Sequence, residues 1–242
     1  MSPVKALLFD VQGTATDFHS TVSDEARRIG AGRHPDIDWS GLVRRWRAEY
    51  FAALDATPAG GRNHGGSWVS VRSVYRRELD DVLDRFGASG LTATERDELT
   101  SAWQKLKPWP DVLPGLNRLK PAFTLATLSN ADVCSVVEIS KRAGLPWDAV
   151  FAAEMAGVFK PDPAVYRMAA RYLGLEPAEI MMVASHKYDL RAAGGLGFRT
   201  AFVARPLEFG AGDAADGVDT TYEGEFEVNA ADFLDLAGQL GC

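Results

Sequence analysis

An aspartate, Asp10, closes a short apolar run (VKALLF, residues 4–9) and is followed by Gly13-Thr14. Three later tracts have the same form. Ser129-Asn130 follow the run at 123–128, Lys160 stands in FKPDP beyond the run at 149–152, and Ser185-His186-Lys187-Tyr188-Asp189 follow the run at 180–183. A lysine within about 4–6 Å of a carboxylate keeps it ionised, so Lys160 is suited to holding Asp10 charged, and Asp189 to positioning water. Short hydroxyl and amide side chains offer donors to an anion. Taken singly these residues mean little: Asp10 alone fits a turn and Asp189 alone fits a helix start. Four run ends in order make a constellation.

The elements that must position them alternate in type. Apolar runs at 4–9, 123–128, 149–152, 180–183 and 200–203 are separated by helical patterns at about 131–143, 162–173 and 188–196. That alternation predicts βαβ units and a parallel sheet. In an open parallel sheet, ligands sit beyond the carboxyl ends of the strands, where all four tracts would lie. Residues 16–108 read differently, with no convincing strand. Trp68, Val71, Tyr75, Leu79, Val82 and Phe86 make a helical stripe, and Thr92-x-x-Glu95 a capping box before Leu99, Trp103 and Leu106. Pro108 and Pro110 close this segment, and 60–66 is a glycine-rich loop within it. The fold class is therefore α/β. A Rossmann-like, doubly wound parallel sheet core (1–15 and 109–242) carries a helical cap (16–108) inserted after its first strand. Residues 205–225 read as an irregular loop.

The 242 residues carry a formal charge of −7, which argues against a nucleic-acid partner but not against a small anion held at a local positive site. No run is apolar and long enough to span a membrane. The N-terminus lacks the pattern of a signal peptide, and two cysteines, Cys134 and Cys242, make no disulfide framework, so a cytoplasmic location is expected. His19, His34 and His64 lack metal-ligand spacing and read as surface residues, and Cys134 as a small core filler.

The tracts LLFDVQGTATD, LATLSNAD, VFKPDPAVY and VASHKYDLRAAGGLGFRTAFV together resemble the haloacid dehalogenase superfamily over essentially the whole chain. The resemblance implies a covalent mechanism with Asp10 as nucleophile. Phosphatases of this superfamily have a second aspartate where Gln12 stands here, and two acidic groups in the last tract where only Asp189 remains. Magnesium wants a shell of hard oxygens, so with Lys187 also close by the metal site reads as lost and no cofactor is expected. FKPDPAVY, with Tyr166 six residues after the lysine, is similar to the 2-haloacid dehalogenase branch; His186, where an asparagine is common, and Gln12 depart from it.

That branch implies attack of Asp10 on C2 of a haloacetate or (S)-2-haloacid, release of halide, and hydrolysis of an aspartyl ester. Thr14 and Ser185 are expected to bond the nucleophile or the water, and Tyr166, Gln12 and His186 to border the substrate. The substrate carboxylate is placed near Ser129 and the amides at the start of the next helix, and the halide near Asn130. The cap should contribute an arginine. Leu42, Val43, Trp46, Tyr50, Phe51 and Leu54 form one helical face, and Arg47 falls inside it, with Arg44 at its edge as the alternative. Ring opening of an azetidine-2-carboxylate and a magnesium-dependent phosphatase are the alternative activities. A small 2-halocarboxylate and halide are the implied partners, with a homodimer as the default assembly.

Overall fold

The computed structural model describes residues 3–56, 68–211 and 218–242. The glycine-rich loop at 60–66, with His64, lies outside the described residues. Six strands form one parallel sheet: β1 (Ala6–Phe9), β4 (Thr124–Ser129), β5 (Ala149–Ala152), β6 (Ile180–Ala184), β7 (Arg199–Val203) and β8 (Val228–Ala230). Their order is β5-β4-β1-β6-β7-β8. The chain runs outward from β1 through β4 to β5, then crosses to the other side for β6, so the strand order reverses around β1. Ligand crevices form at such a reversal. Asp10, one residue past β1, therefore sits at the topological switch point.

Why these runs are strands follows from burial on both faces. All four residues of β1 are buried. Leu7 and Phe9 pack into one cluster with α5 (Val112–Leu119), α6 (Val133–Ala143) and α9 (Phe233–Gln239). Ala6 and Leu8 pack into the other with α7 (Pro163–Leu173) and α8 (Lys187–Gly195). A strand buried on both faces needs a continuous apolar run, which is how VKALLF and IMMV read.

Among the described residues, four more α-helices lie between the first strand and the rest of the sheet: α1 (Phe18–Gly30), α2 (Trp39–Asp55), α3 (Val71–Arg85) and α4 (Ala93–Thr100). The α3 stripe is buried at Val71, Tyr75, Leu79 and Val82, and Thr92 with Glu95 forms the expected capping box. The segment does contain strand: β2 (Thr16–Asp17) pairs antiparallel with β3 (Lys107–Pro108) where the chain leaves and rejoins the sheet unit. Two-residue strands carry no period, so the sequence gives no sign of them. The three-residue β8 is likewise too short to show one.

Two single-residue expectations are corrected. His19 is buried, with Nε2 3.0 Å from the Ser40 hydroxyl, because it falls on the inward face of α1. Cys134 is exposed rather than in the core, on the outer side of the first turn of α6. No helix among the described residues is long and apolar enough to cross a membrane.

One carboxylate ties the helical unit to the sheet unit. Asp132, buried before α6, accepts from the backbone N–H groups of Val71 and Arg72 at 2.9 Å each and from the Trp68 indole at 3.1 Å. It thus satisfies the first turn of α3 from across the molecule. Asp132→Ala strands those donors, and the expected loss is about 2 kcal/mol of unfolding free energy by urea titration. An unchanged midpoint would mean that the contact carries no stability.

Candidate active site

Asp10 is buried, and each of its oxygens is engaged. Oδ1 accepts from the Lys160 ammonium at 3.0 Å. Oδ2 accepts from the Thr14 hydroxyl at 2.8 Å and lies 3.2 Å from Nδ1 of His186. Burial alone would raise the Asp10 pKa. Lys160 and His186 more than offset it and hold the carboxyl far below the ordinary carboxylate range. The group is an anion at any working pH.

Lys160 is oriented from three sides. Its ammonium donates to Asp10, to Asp189 Oδ2 at 2.5 Å and to the Leu128 carbonyl at 2.9 Å. Its backbone is clamped by Asn130, which accepts from the Lys160 N–H at 2.7 Å and donates to its carbonyl at 3.2 Å. Burial works against the ammonium, yet Asp10 and Asp189 raise its pKa above the ordinary lysine value. Asp189 has the opposite fate. Complete burial, reinforced by the charge of Asp10, raises its pKa in spite of Lys160.

This arrangement changes several expected roles. Both oxygens of Asp189 are occupied, by Lys160 and by the Tyr166 hydroxyl at 2.5 Å. Asp189 thus accepts from Lys160 and Tyr166 and is absent from the lining of the cavity beside Asp10. Tyr166 is wholly buried behind Asp189 and does not border the cavity, because the first turns of α7 point it into the core. Thr14 bonds Asp10 as expected, and also accepts from the Ser185 N–H at 2.9 Å, with the two hydroxyls 3.0 Å apart. Lys187 donates to Asp219 and Glu223 at 2.6 Å each and does not contact Asp10. The first amide of α6, on Val133, donates to Glu154 at 2.7 Å, so that helix end already holds a carboxylate of its own chain.

Arg47 lies where the α2 periodicity puts it, 3% exposed and facing the sheet. It donates to Gln12 Oε1 at 2.7 Å and to the Tyr75 hydroxyl. Its guanidinium carbon lies 4.6–5.7 Å from the ring centres of Phe51, Phe18, Tyr50 and Trp103. Its Nε has no hydrogen-bond partner, and no carboxylate pairs with it among the described residues. The alternative, Arg44, instead donates to Ser40 at 2.8 Å and lies near Asp38. A small cavity collects Asp10, Gln12, Arg47, Ser129, Asn130 and His186, with Tyr50, Phe51, Lys160 and Tyr188.

Glu208 and Tyr75 also border the site, though no sequence pattern marks them. Glu208 Oε1 lies 2.8 Å from His186 Nε2. It stands in the irregular loop after β7, where no period flags a residue. Its loop is anchored by Arg205, which donates to the Thr14 carbonyl at 2.7 Å and bidentately to Asp111 at 2.8 Å. Tyr75 belongs to the α3 stripe, and its hydroxyl was hidden in what reads as a plain apolar face.

A buried, ionised carboxylate beside a lysine, with an arginine held by neutral acceptors on the same cavity, could support covalent chemistry on a small anion. Residues 4–197 match the haloacid dehalogenase-like hydrolase family. The chain belongs to that family. It is 30% identical over 209 residues to (S)-2-haloacid dehalogenase 1 of Pseudomonas sp. strain CBS-3, covering 85% of this chain and 86% of the relative. The crystal structure of the defluorinating L-2-haloacid dehalogenase Rha0230 matches with a TM-score of 0.88 and 35% identity, covering 99% of this chain and 96% of that one. The L-2-haloacid dehalogenase from Xanthobacter autotrophicus with chloropropionic acid covalently bound matches with a TM-score of 0.78 and 27% identity, covering 98% of each chain.

Lys160→Met leaves two buried carboxylates without their cation, at an expected cost of about 3–5 kcal/mol at pH 7. The pH dependence should also reverse. In the wild type the Asp10 contribution is present above the ordinary carboxylate pKa of 3.8 and is lost only as pH falls below it. In the variant, with both carboxyls pushed up, stability should rise as pH falls from 7 toward 5. Urea midpoints across that range check it; parallel curves would contradict it.

Proposed function

We propose that the protein is a hydrolytic dehalogenase of short 2-haloalkanoates, either haloacetates or (S)-2-haloacids. In this reading residues 16–108 form a cap over a core of 1–15 and 109–242. The Asp10 carboxylate attacks C2, the carbon–halogen bond breaks with its electron pair on the halide, and an aspartyl ester remains. Water then attacks the Asp10 carbonyl carbon, the 2-hydroxy acid leaves, and the carboxylate is regenerated.

The observation that carries this reading is Arg47: a buried cation facing the same cavity as Asp10, whose hydrogen-bond acceptors, Gln12 and Tyr75, are both neutral. A buried charge requires a partner, and a bound anion is the one this cavity can accept. Arg47 would meet the developing halide or the substrate carboxylate, with Ser129 as a further donor. The Xanthobacter structure with chloropropionic acid covalently bound supports a covalent intermediate in this reading. Two features favour chemistry without a metal. The Lys160 ammonium lies between the two carboxylates that a cation would need, and the Gln12 amide is turned to Arg47.

Halide release is expected from at least one of chloroacetate, fluoroacetate and the two 2-chloropropionate enantiomers, with EDTA present. Asp10→Asn should abolish it. Arg47→Lys, which keeps the charge but loses the planar fork, should lower kcat/KM by about 100-fold. Absence of halide from every substrate would contradict the proposal, and phosphate release strictly dependent on Mg²⁺ would replace it with a phosphatase.

A further inference from the structure

The two oxygens of Asp10 are held from different directions. Oδ1 accepts from Lys160, while Oδ2 meets the Thr14 hydroxyl at 2.8 Å and His186 Nδ1 at 3.2 Å. Both contacts on Oδ2 lead outward to one side chain that lies outside the cavity lining. Arg205, two residues past β7 and 5% exposed, donates through Nε to the Thr14 carbonyl at 2.7 Å. Its own carbonyl accepts from the Glu208 N–H at 3.0 Å, and Glu208 Oε1 lies 2.8 Å from His186 Nε2. Resting on the dehalogenase reading, we infer that Arg205 is a positioning residue for the displacement step. It sets the rotation of the Asp10 carboxylate through Thr14 and through the turn at 205–208.

The hold is on the backbone of the turn that follows Asp10. Three successive carbonyls there accept from outside the turn. Trp109 Nε1 donates to Gly13 at 2.9 Å, Arg205 donates to Thr14, and the Trp109 N–H donates to Ala15 at 3.2 Å. The Thr14 hydroxyl in turn accepts from the Ser185 N–H at 2.9 Å, and its single proton goes to Asp10. With the carbonyl and the hydroxyl of Thr14 both fixed, the direction of that proton is fixed as well.

Arg205 is itself held on its edge and on its faces. Its two terminal nitrogens donate bidentately to Asp111 at 2.8 Å each. Asp111, the residue before α5, also accepts from the Phe233 N–H at the start of α9, at 2.9 Å. The ring centres of Phe233 and Trp109 lie 5.0 and 5.6 Å from the guanidinium carbon. A lysine at this position could reach Thr14 or Asp111 with a point charge, but it lacks the fork that spans both. Asp111 cancels the charge of Arg205, so this cation does not draw in the substrate. Arg47, proposed to meet the anion, is held by Gln12 and Tyr75 and makes no bond to Arg205.

The consequence falls on rate. In the displacement, a bond from an Asp10 oxygen to C2 forms as the carbon–halogen bond breaks, with the electron pair leaving on the halide. The attacking lone pair must lie in line with the breaking bond, and a misplacement of about 1 Å costs on the order of 100-fold. A carboxylate gripped by Lys160 alone is free to turn about its Cβ–Cγ bond; the hold on Oδ2 removes that freedom.

The test is first-turnover halide release by rapid quench, with enzyme in excess, over a range of concentrations of a 2-haloacid that the wild type turns over. For Arg205→Lys the maximal rate should fall by about 10- to 100-fold. The half-saturating concentration should stay within about twofold, since the lost interaction orients and does not bind. The loss must also run through Thr14. In a Thr14→Val background, which is slow already, adding Arg205→Lys should cost less than about threefold more, because coupled residues are not additive. Asp111→Asn keeps the shape of the acceptor and removes its charge, and it should show the same pattern; it serves as the second variant where Arg205→Lys does not fold. An unchanged maximal rate, a change confined to the half-saturating concentration, or full multiplication of the two losses in the double variant would overturn the inference. Absence of halide from the wild type is a separate outcome, which would remove the dehalogenase reading and this inference with it.

Discussion

The interior of the site rests on one ammonium shared by two carboxylates. Lys160 holds Asp10 at 3.0 Å and Asp189 at 2.5 Å, with all three side chains withdrawn from solvent. Neither carboxylate could stay ionised at that depth without it. Two anions competing for one cation also diverge: the Asp10 pKa is driven down and that of Asp189 up. The anion is thereby kept on the carboxylate that faces the cavity. Tyr166, Asn130 and the Leu128 carbonyl hold the lysine in place. Much of β4, β6, α7 and α8 can be read as the frame for that contact.

A second cation is placed on the other wall with different partners. Arg47 has neutral acceptors and aromatic rings around it where Lys160 has carboxylates. Neutral partners lessen the cost of burial without cancelling the charge, which leaves it available to an incoming anion. Gln12 is central to this difference. As an amide it accepts from Arg47 without neutralising it, whereas an aspartate at that position would form a closed ion pair. The formal charge of −7 thus coexists with a local positive wall.

The sheet and its strand ends were legible because strands buried on both faces are written as apolar runs, and the switch point then collects Asp10, Ser129, Lys160 and Ser185. Arg47 was legible because a charge within a helical apolar face breaks a clear period. The two-residue β2–β3 pair and three-residue β8 have no period to read. Glu208 was hidden for a related reason. It reaches His186 through a loop whose path is fixed by Arg205 and Asp111, a contact between residues 94 positions apart in the chain. Side-chain direction was the other limit. Tyr166 and Asp189 stand in the right tracts, but only packing decides that they face Lys160 and not the substrate.

The central claim is that an oxygen of Asp10 passes to the product, and isotope transfer tests it most directly. Enzyme in excess over a 2-haloacid that the wild type turns over, in water enriched in oxygen-18, is allowed one turnover. The hydroxy acid should be unlabelled and the label should lie in the Asp10 carboxylate, located by peptide mass spectrometry. Label in the hydroxyl of the first-turnover product, with Asp10 unlabelled, would mean that water attacks C2 directly and would contradict it.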